Sequence, residues 1–168
     1  MKKKSLVLYA LSHFLLFSNL VGATTLEQMT LSDLTQQSEK IVIGTVIAQE
    51  SHWKNGGVET LVEVAVTDTL KGSESTSVRV AVAGGSAPIA SNGIAVAEIS
   101  ADSPVFIQDS EVVLFLTGSS DVMQIVGYSQ GFMPVLDQAA GKAVSLPNTT
   151  GPMPLEAFKD RVLTMQSN

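Results

Sequence analysis

The alternation of apolar and polar residues along the chain predicts a protein built mainly of β-strands. Residues 41–48 are apolar at nearly every position and rich in β-branched side chains, which is typical of a strand covered on both faces. Residues 58–69 alternate with a period of two and place Val62, Val64 and Val66 on the inward face. An Asn-Gly-Gly turn joins the two segments, so they predict the first hairpin of an antiparallel sheet.

Shorter strands are predicted along the rest of the chain from the same period-two pattern and from the turn residues between them. They cover residues 78–82, 111–117, 122–128, 132–136 and 143–146. Residues 84–104 are rich in Gly, Ala, Ser and Pro, which predicts a long loop with one weak hairpin at Asn92 and Gly93. The sheet is therefore expected to contain at least six antiparallel strands.

A helix is predicted at each end of this strand region. Thr30 can cap a helix that runs to about Glu39, with Asp33 near the positive end of the helix dipole. Pro154 is the predicted first residue of the second helix, and apolar residues recur after it at intervals of three and four, which is typical of an amphipathic helix. These residues are Leu155, Phe158, Val162 and Met165. The pattern predicts a small antiparallel barrel with two terminal helices, and a two-sheet β-sandwich is the alternative.

The first 23 residues have the pattern of a cleavable signal peptide. The basic residues 2–4 precede an apolar run over residues 6–16 that is too short to span a bilayer. The residues three and one positions before the bond that follows Ala23 are small enough for signal peptidase. Residues 24–168 are then expected to form one domain that begins at Thr24. We expect this domain to be secreted or periplasmic, with no membrane association after cleavage.

The charge and the residue types that are missing exclude several classes of function. The chain has 10 basic and 16 acidic residues, and loss of three lysines with the signal peptide would leave seven against sixteen, a net charge of −9. Such a surface repels nucleic acids. The absence of cysteine removes disulfides and thiolate sites, and His52 alone cannot form a zinc site. We therefore predict no metal, no other cofactor and no nucleic-acid partner.

Residues 127–131 match the G-x-S-x-G motif of α/β-hydrolases, in which the serine is the nucleophile. That motif requires a strand, a tight turn and then a helix, with an acid and a histidine later in the chain. No histidine follows Ser129, and residues 132–135 read as a strand. We interpret the motif as a glycine-flanked bend between strands, and we predict that the protein is not an enzyme.

Several short segments resemble those of a family of uncharacterised secreted bacterial proteins. They are residues 38–46, 66–72, 84–85, 111–116, 127–132 and 155–158, which together span most of the predicted mature chain. This resemblance implies no activity. Residues 38–72 are also distantly similar to the OB-fold domain of tissue inhibitors of metalloproteinases and netrin-like modules. That similarity implies an OB-like barrel, but the chain lacks the amino-terminal cysteine with which those inhibitors chelate zinc.

The predicted partner-binding surface lies at the tip of the first hairpin. His52 and Trp53 stand just before the first turn, where an aromatic ring can anchor a partner. The alternative is that the Trp53 ring folds back and closes the core. Gly84 and Gly85 begin the loop after the third strand, which an OB-like barrel would place beside this tip. The resemblance to the metalloproteinase inhibitors implies that Thr24 approaches the same end.

These observations predict a secreted or periplasmic, non-enzymatic module that binds another secreted or surface protein. A protease is one partner of this kind, in which case the protein would be an inhibitor. The alternative is a structural protein of the cell surface or extracellular matrix whose strand edges pair with their neighbours.

Overall fold

The structure is a computed structural model that describes residues 27–88, 94–118, 121–146, 149 and 151–167. The predicted signal peptide, Thr24 and the predicted turn at Asn92 and Gly93 lie outside these residues. The chain is mainly β, as predicted. Its elements are α1 (Leu31–Gln37), β1 (Lys40–Lys54), β2 (Gly57–Lys71), β3 (Ser77–Ala83), β4 (Gly85–Pro88), β5 (Ala95–Glu98), β6 (Glu111–Thr117), β7 (Val122–Ile125), β8 (Phe132–Gln138), β9 (Gly141–Ser145), β10 (Pro152–Pro154) and α2 (Leu155–Gln166).

Helix α1 begins at the predicted cap. The Thr30 hydroxyl accepts the backbone N–H of Asp33 at 3.2 Å, and the Asp33 carboxylate accepts the backbone N–H of Thr30 at 2.8 Å. Hydrogen bonds from the Thr30 hydroxyl and backbone lower the pKa of the Asp33 carboxyl. The helix ends at Gln37, earlier than predicted, because Ser38 adopts an extended conformation and its hydroxyl donates to the Leu34 carbonyl at 2.6 Å.

Five strands form a closed ring of pairings. β1 pairs with β2 and β6, β2 pairs with β3, and β6 pairs with β7, all antiparallel. The ring is completed by β3 and β7, which are parallel, so the expectation of a purely antiparallel sheet is wrong. β8, β9 and β10 extend the sheet from β6, while β4 and β5 form a separate two-stranded sheet. The weak hairpin predicted after the third strand corresponds to β4 and β5.

The interior of this ring is filled by a cluster that we call the ring core. It receives side chains from all five ring strands and from Phe106. The buried members are Val42, Val46, Val62, Val64, Val78, Val80, Phe106, Val112, Leu114, Leu116 and Met123. Most of them are branched aliphatic side chains, which fill the space between strands without leaving polar atoms to satisfy.

The outer face of β1 and β6 is covered by a second cluster, which we call the helix core. It is built with side chains from both helices and from strands β8 and β9. The buried members are Leu31, Leu34, Ile41, Ile43, Leu70, Val113, Phe115, Val126, Met133, Val144, Leu146, Leu155, Phe158 and Val162. Successive side chains of β1 and β6 therefore enter different cores, which explains why both segments are apolar at consecutive positions.

Helix α2 starts one residue later than predicted, because Pro154 is its N-cap and also the last residue of β10. Leu155, Phe158 and Val162 are buried, as the predicted amphipathic pattern requires. Lys159 Nζ lies 2.9 Å from Asp68 Oδ2 and ties the helix to β2, and this hydrogen bond raises the pKa of Lys159. No helix among the described residues is long and apolar enough to cross a membrane.

The hairpin of β1 and β2 is longer than predicted. Each strand has 15 residues, and the turn between them contains Asn55 and Gly56, both with positive φ (53° and 88°). β6 pairs with the first part of β1, from Lys40 to Thr45, so the later part of β1 has β2 as its one strand partner among the described residues. The hairpin tip therefore extends beyond the part of β1 that is paired on both sides, and it carries the predicted site.

Candidate functional site

The tip of the first hairpin positions His52 and Trp53 against strand β2. His52 lies opposite Glu59 and Trp53 lies opposite Val58. His52 Nε2 is 3.3 Å from Glu59 Oε1, and Lys54 Nζ is 2.7 Å from the same oxygen. Trp53 is 41% exposed, so this tryptophan is neither enclosed in a core nor fully solvated.

The β4–β5 hairpin is bonded to the same tip. The backbone N–H of Gly84 donates to the Val58 carbonyl at 2.7 Å, and the Thr60 hydroxyl donates to the Gly84 carbonyl at 2.6 Å. The backbone N–H of Val58 in turn donates to Glu98 Oε2 at 2.7 Å. Gly84 and Gly85 therefore lie beside the first hairpin, in the arrangement that the sequence predicted.

Gly85 has a packing role at this contact. Its φ is +128°, and a Cβ at this position would collide with the hydroxyls of Thr60 and Ser51. Those two hydroxyls are hydrogen-bonded to each other at 2.8 Å, and Ala87 of the same strand is buried. A glycine is thus required for the hairpin to approach this closely, whether or not it also contacts a partner.

A cleft of about 750 Å³ opens between this tip, the end of β3 and the segment that follows β5. Its lining includes the carboxylates Glu59, Glu98 and Asp102 and the ring of Tyr128. Lys54 is the basic residue of the lining, and it forms an ion pair with Glu59. In the described part of the chain, no three acidic or histidine residues are placed to hold a metal ion.

Tyr128 reaches the cleft from the turn that contains the G-x-S-x-G motif. Gly127 and Tyr128 both have positive φ (64° and 62°), and the Gln130 N–H donates to the Gly127 carbonyl at 3.1 Å. Strand β8, not a helix, follows at Phe132. The interpretation of the motif as a bend between strands is confirmed. The turn presents Tyr128, which is 66% exposed and was not identified from the sequence.

The same turn holds the chain segment that precedes α1. The backbone N–H of Met29 donates to Gln130 Oε1 at 2.6 Å, and Gln130 Nε2 donates to the Glu27 carbonyl at 3.2 Å. Both polar atoms of the Gln130 amide are thus satisfied by an extended backbone. Thr24 precedes the described residues, so its predicted place in the site stays a prediction.

The segment between β5 and β6 exposes apolar side chains that the sequence analysis did not single out. Ile99 is 95% exposed, Val105 78% and Ile107 66%. Asp102, Ser103 and Pro104 of this segment line the cleft, so apolar surface and the cleft belong to one continuous part of the chain.

We expect Ser129 to be unreactive. It is a half-buried residue of a turn, and no histidine follows it in the chain to accept its proton. A fluorophosphonate probe should therefore leave the purified protein unlabelled, as judged by intact mass. Heat-denatured protein is the control for nonspecific labelling, and stoichiometric labelling at Ser129 in the folded protein alone would contradict the prediction.

The comparisons with known proteins add no family to these observations. No protein-family model matches the chain, and no curated protein matches its sequence.

Proposed function

We propose that this protein is a secreted or periplasmic, non-enzymatic module that binds another protein with the hairpin-tip end of an OB-like barrel. The proposed surface comprises Trp53, Tyr128, Ile99 and the cleft, which is lined by Tyr128 and by the chain neighbours of the other two residues, Lys54, Glu98 and Ser100. The observation that carries the proposal is the position of Trp53, a half-exposed ring at the end of a two-stranded hairpin that a second hairpin braces.

The closed ring of strands supports the OB-like part of the proposal. An OB-fold is a five-stranded Greek-key barrel, and here five strands pair in a continuous ring around one apolar core. A sandwich would divide its strands between two facing sheets, each with open edges. Residues 38–72, which resemble the inhibitor and netrin-like domains, correspond to β1, β2 and the residues immediately beside them.

The composition of the hairpin-tip end supports protein binding over catalysis. Aromatic rings with exposed faces are the side chains that most often anchor protein interfaces, and Trp53 and Tyr128 are of this kind. The carboxylates of Glu98 and Asp102 provide a polar rim, in which Glu98 is already held by the Val58 N–H. A rigid anchor lowers the entropy that is lost when a partner binds.

The proposed partner is another secreted or surface protein. If that partner is a protease, the protein would act as its inhibitor. Inhibition would rest on surface contact, because the chain has no cysteine with which to chelate an active-site metal. Export would depend on residues 1–23, which have the pattern of a signal peptide.

A structural role at the cell surface is the second candidate function, and strand β5 favours it. This strand pairs only with β4 among the described residues, so its other edge has no strand partner in that part of the chain. Light scattering distinguishes the two candidates, because a structural protein should form oligomers that keep growing with concentration. A binding module should reach a fixed small size until its partner is added.

The proposed surface is tested with a Trp53→Ala variant, once a partner has been isolated from the secreted proteins of the source organism. We expect binding to weaken by at least about 2 kcal/mol, as for a central aromatic contact, with a nearly unchanged melting temperature. Calorimetric titration and thermal melting measure the two effects.

Leu163→Ala is the matched control, because Leu163 is also a partly exposed apolar residue (48%) but lies on α2. It should bind the partner like the parent protein. If Trp53→Ala instead binds normally and melts at a much lower temperature, Trp53 closes the core and the partner surface lies elsewhere.

A further inference from the structure

The wall of the cleft beside the hairpin tip carries an exposed aromatic side chain. Tyr128 lines the cleft, is 66% exposed and belongs to neither the ring core nor the helix core. Its side chain offers an apolar ring and a polar hydroxyl to a bound molecule. The cleft volume of about 750 Å³ falls within the range of ligand-binding clefts, roughly 300 to 1,000 Å³. The cleft therefore has the size of a ligand site and a group suited to stacking.

Two of the three carboxylates in the lining already have partners. Glu59 Oε1 lies 2.7 Å from Lys54 Nζ, and Glu98 Oε2 accepts the Val58 N–H at 2.7 Å. Asp102 is exposed, and its carboxylate has no hydrogen bond or ion pair with another described residue. The cleft therefore presents one carboxylate without a partner, rather than a cluster of free acids.

Neutral side-chain amides also line the cleft. Asn55 lies in the turn of the first hairpin and Gln124 lies on β7. Both residues are exposed, and neither amide is hydrogen-bonded to another residue in the described part of the chain. An amide presents donors and an acceptor side by side. Together with Asp102 and the Tyr128 hydroxyl, the amides give a ligand several hydrogen-bonding sites, most of them uncharged.

This set of groups suits a neutral sugar better than a charged ligand. A pyranose ring has an apolar C–H face that stacks on an aromatic ring, and hydroxyls that amides and carboxylates can bind. An anionic ligand would meet Asp102 without a compensating charge, because Lys54 is paired with Glu59. A cationic ligand would find one carboxylate without a partner and would leave the two amides and the ring without a matching group.

We propose that the cleft binds a neutral oligosaccharide that the partner protein carries. A sugar ring would stack on Tyr128, and its hydroxyls would bind the two amides and the Asp102 carboxylate. The inference rests on the proposed function, because the cleft is part of the proposed surface and the saccharide belongs to the proposed partner.

The cleft adjoins the proposed protein anchor. Lys54 follows Trp53 in the chain and Val58 lies opposite Trp53 in the hairpin, and both Lys54 and Val58 line the cleft. Trp53 itself is not part of the lining. A partner in contact with Trp53 would therefore hold its saccharide close to the cleft, while a free saccharide could bind there without Trp53.

Free saccharides test the inference without a partner protein. An array of neutral oligosaccharides built from hexoses and N-acetylhexosamines selects the probe, and calorimetric titration of the purified protein with that saccharide gives its Kd. We expect one or more neutral saccharides to bind, and an acidic oligogalacturonate to bind at least about tenfold more weakly. Binding of no neutral saccharide, or tighter binding of a lysine oligopeptide, would overturn the inference.

Two variants of Tyr128 separate stacking from a general change of the turn. Tyr128→Ala removes the ring and should raise the Kd of the neutral saccharide at least about tenfold, whereas Tyr128→Phe keeps the ring and should raise it less than about threefold. Both variants keep a residue with a side chain at the same positive φ, and both should melt like the parent because Tyr128 is exposed. Equal Kd values for the two variants would contradict the stacking.

Asp102→Asn separates a sugar from a cationic ligand. The amide keeps an acceptor for a hydroxyl, so the Kd of the neutral saccharide should change less than about threefold. The same variant removes the one carboxylate of the lining that lacks a partner, so binding of a cationic group would weaken at least about tenfold. A loss of that size for the saccharide would show that charge, and not the sugar chemistry proposed here, governs the cleft.

The isolated partner tests where the saccharide comes from. Enzymatic removal of its neutral glycans should weaken its binding to the parent protein and leave its binding to Tyr128→Ala unchanged. An unchanged affinity for the parent would overturn the inference. Trp53→Ala should bind the free saccharide like the parent protein. Loss of the saccharide result with a normal Trp53 effect on the partner therefore overturns this inference alone, whereas a missing Trp53 effect with normal saccharide binding overturns the proposed protein anchor alone.

Discussion

Replacing Val64 with aspartate is expected to abolish folding. Val64 is fully buried in the ring core, between Val46 on β1 and Val78 on β3. A carboxylate there would lose its hydration without gaining an ion partner, because the ring core consists of apolar side chains. The cost of several kcal/mol is comparable to the whole stability of an ordinary domain, about 5 to 15 kcal/mol.

Circular dichroism and thermal melting measure this effect, and Val64→Ala provides a graded comparison with an expected loss of about 1 to 3 kcal/mol. Ile47→Asp is the matched control, because it makes the same kind of change at an exposed position of β1. It should fold and melt close to the parent. If Val64→Asp melts like the parent, the register of β2 is shifted by one residue, which would exchange its two faces.

The register of β2 is one of the features that the sequence alone could predict. Val62 and Val64 are buried, as their alternation with polar residues indicates, and the consecutive apolar residues of β1 enter two cores, as their pattern indicates. The N-cap of α1 was also predictable. The Thr30 hydroxyl accepts the Asp33 N–H as expected, because such a cap depends only on residues three apart, and the Asp33 carboxylate adds a return bond from the Thr30 N–H.

Long-range pairings could not be derived in the same way. The parallel contact of β3 with β7 joins residues more than 40 positions apart, and no local pattern encodes which strand closes the ring. The later part of β1 was missed for a different reason. Its residues 49–52 are polar and none of them is buried, so they show no burial pattern, and they form a strand because β2 pairs with them.

The contact between two segments of the candidate site was predicted, whereas Glu98 and Tyr128 were not. The OB-like barrel model indicated that the first hairpin and the loop starting at Gly84 would meet, and their backbones are hydrogen-bonded. Glu98 was missed because its role depends on a backbone N–H that lies 40 residues earlier in the chain. Tyr128 lines the cleft and has a positive φ. It was missed because a positive φ is uncommon for an aromatic residue, so the sequence gives no sign of this conformation.

The second large effect is expected from Phe158→Ala. The Phe158 ring is fully buried in the helix core, where its centroid lies 6.2 Å from that of Phe115 and the two rings meet edge to face. Truncation removes this contact and leaves a cavity that neighbouring strands can fill only partly. We expect the free energy of unfolding to fall by about 3 to 5 kcal/mol, measured by chemical denaturation.

Leu163→Ala separates this packing effect from the loss of helix propensity or of a general apolar contact on α2. Leu163 is 48% exposed, and its truncation should change the free energy of unfolding by less than about 1 kcal/mol. Equal effects of the two variants would show that α2 is not docked through Phe158.

Trp53 belongs to neither core, so the fraction of Phe158→Ala that remains folded should bind the partner with the affinity of the parent. A weakened affinity in that folded fraction would show that the helix core shapes the hairpin tip, and the partner surface would then have to include residues that α2 supports.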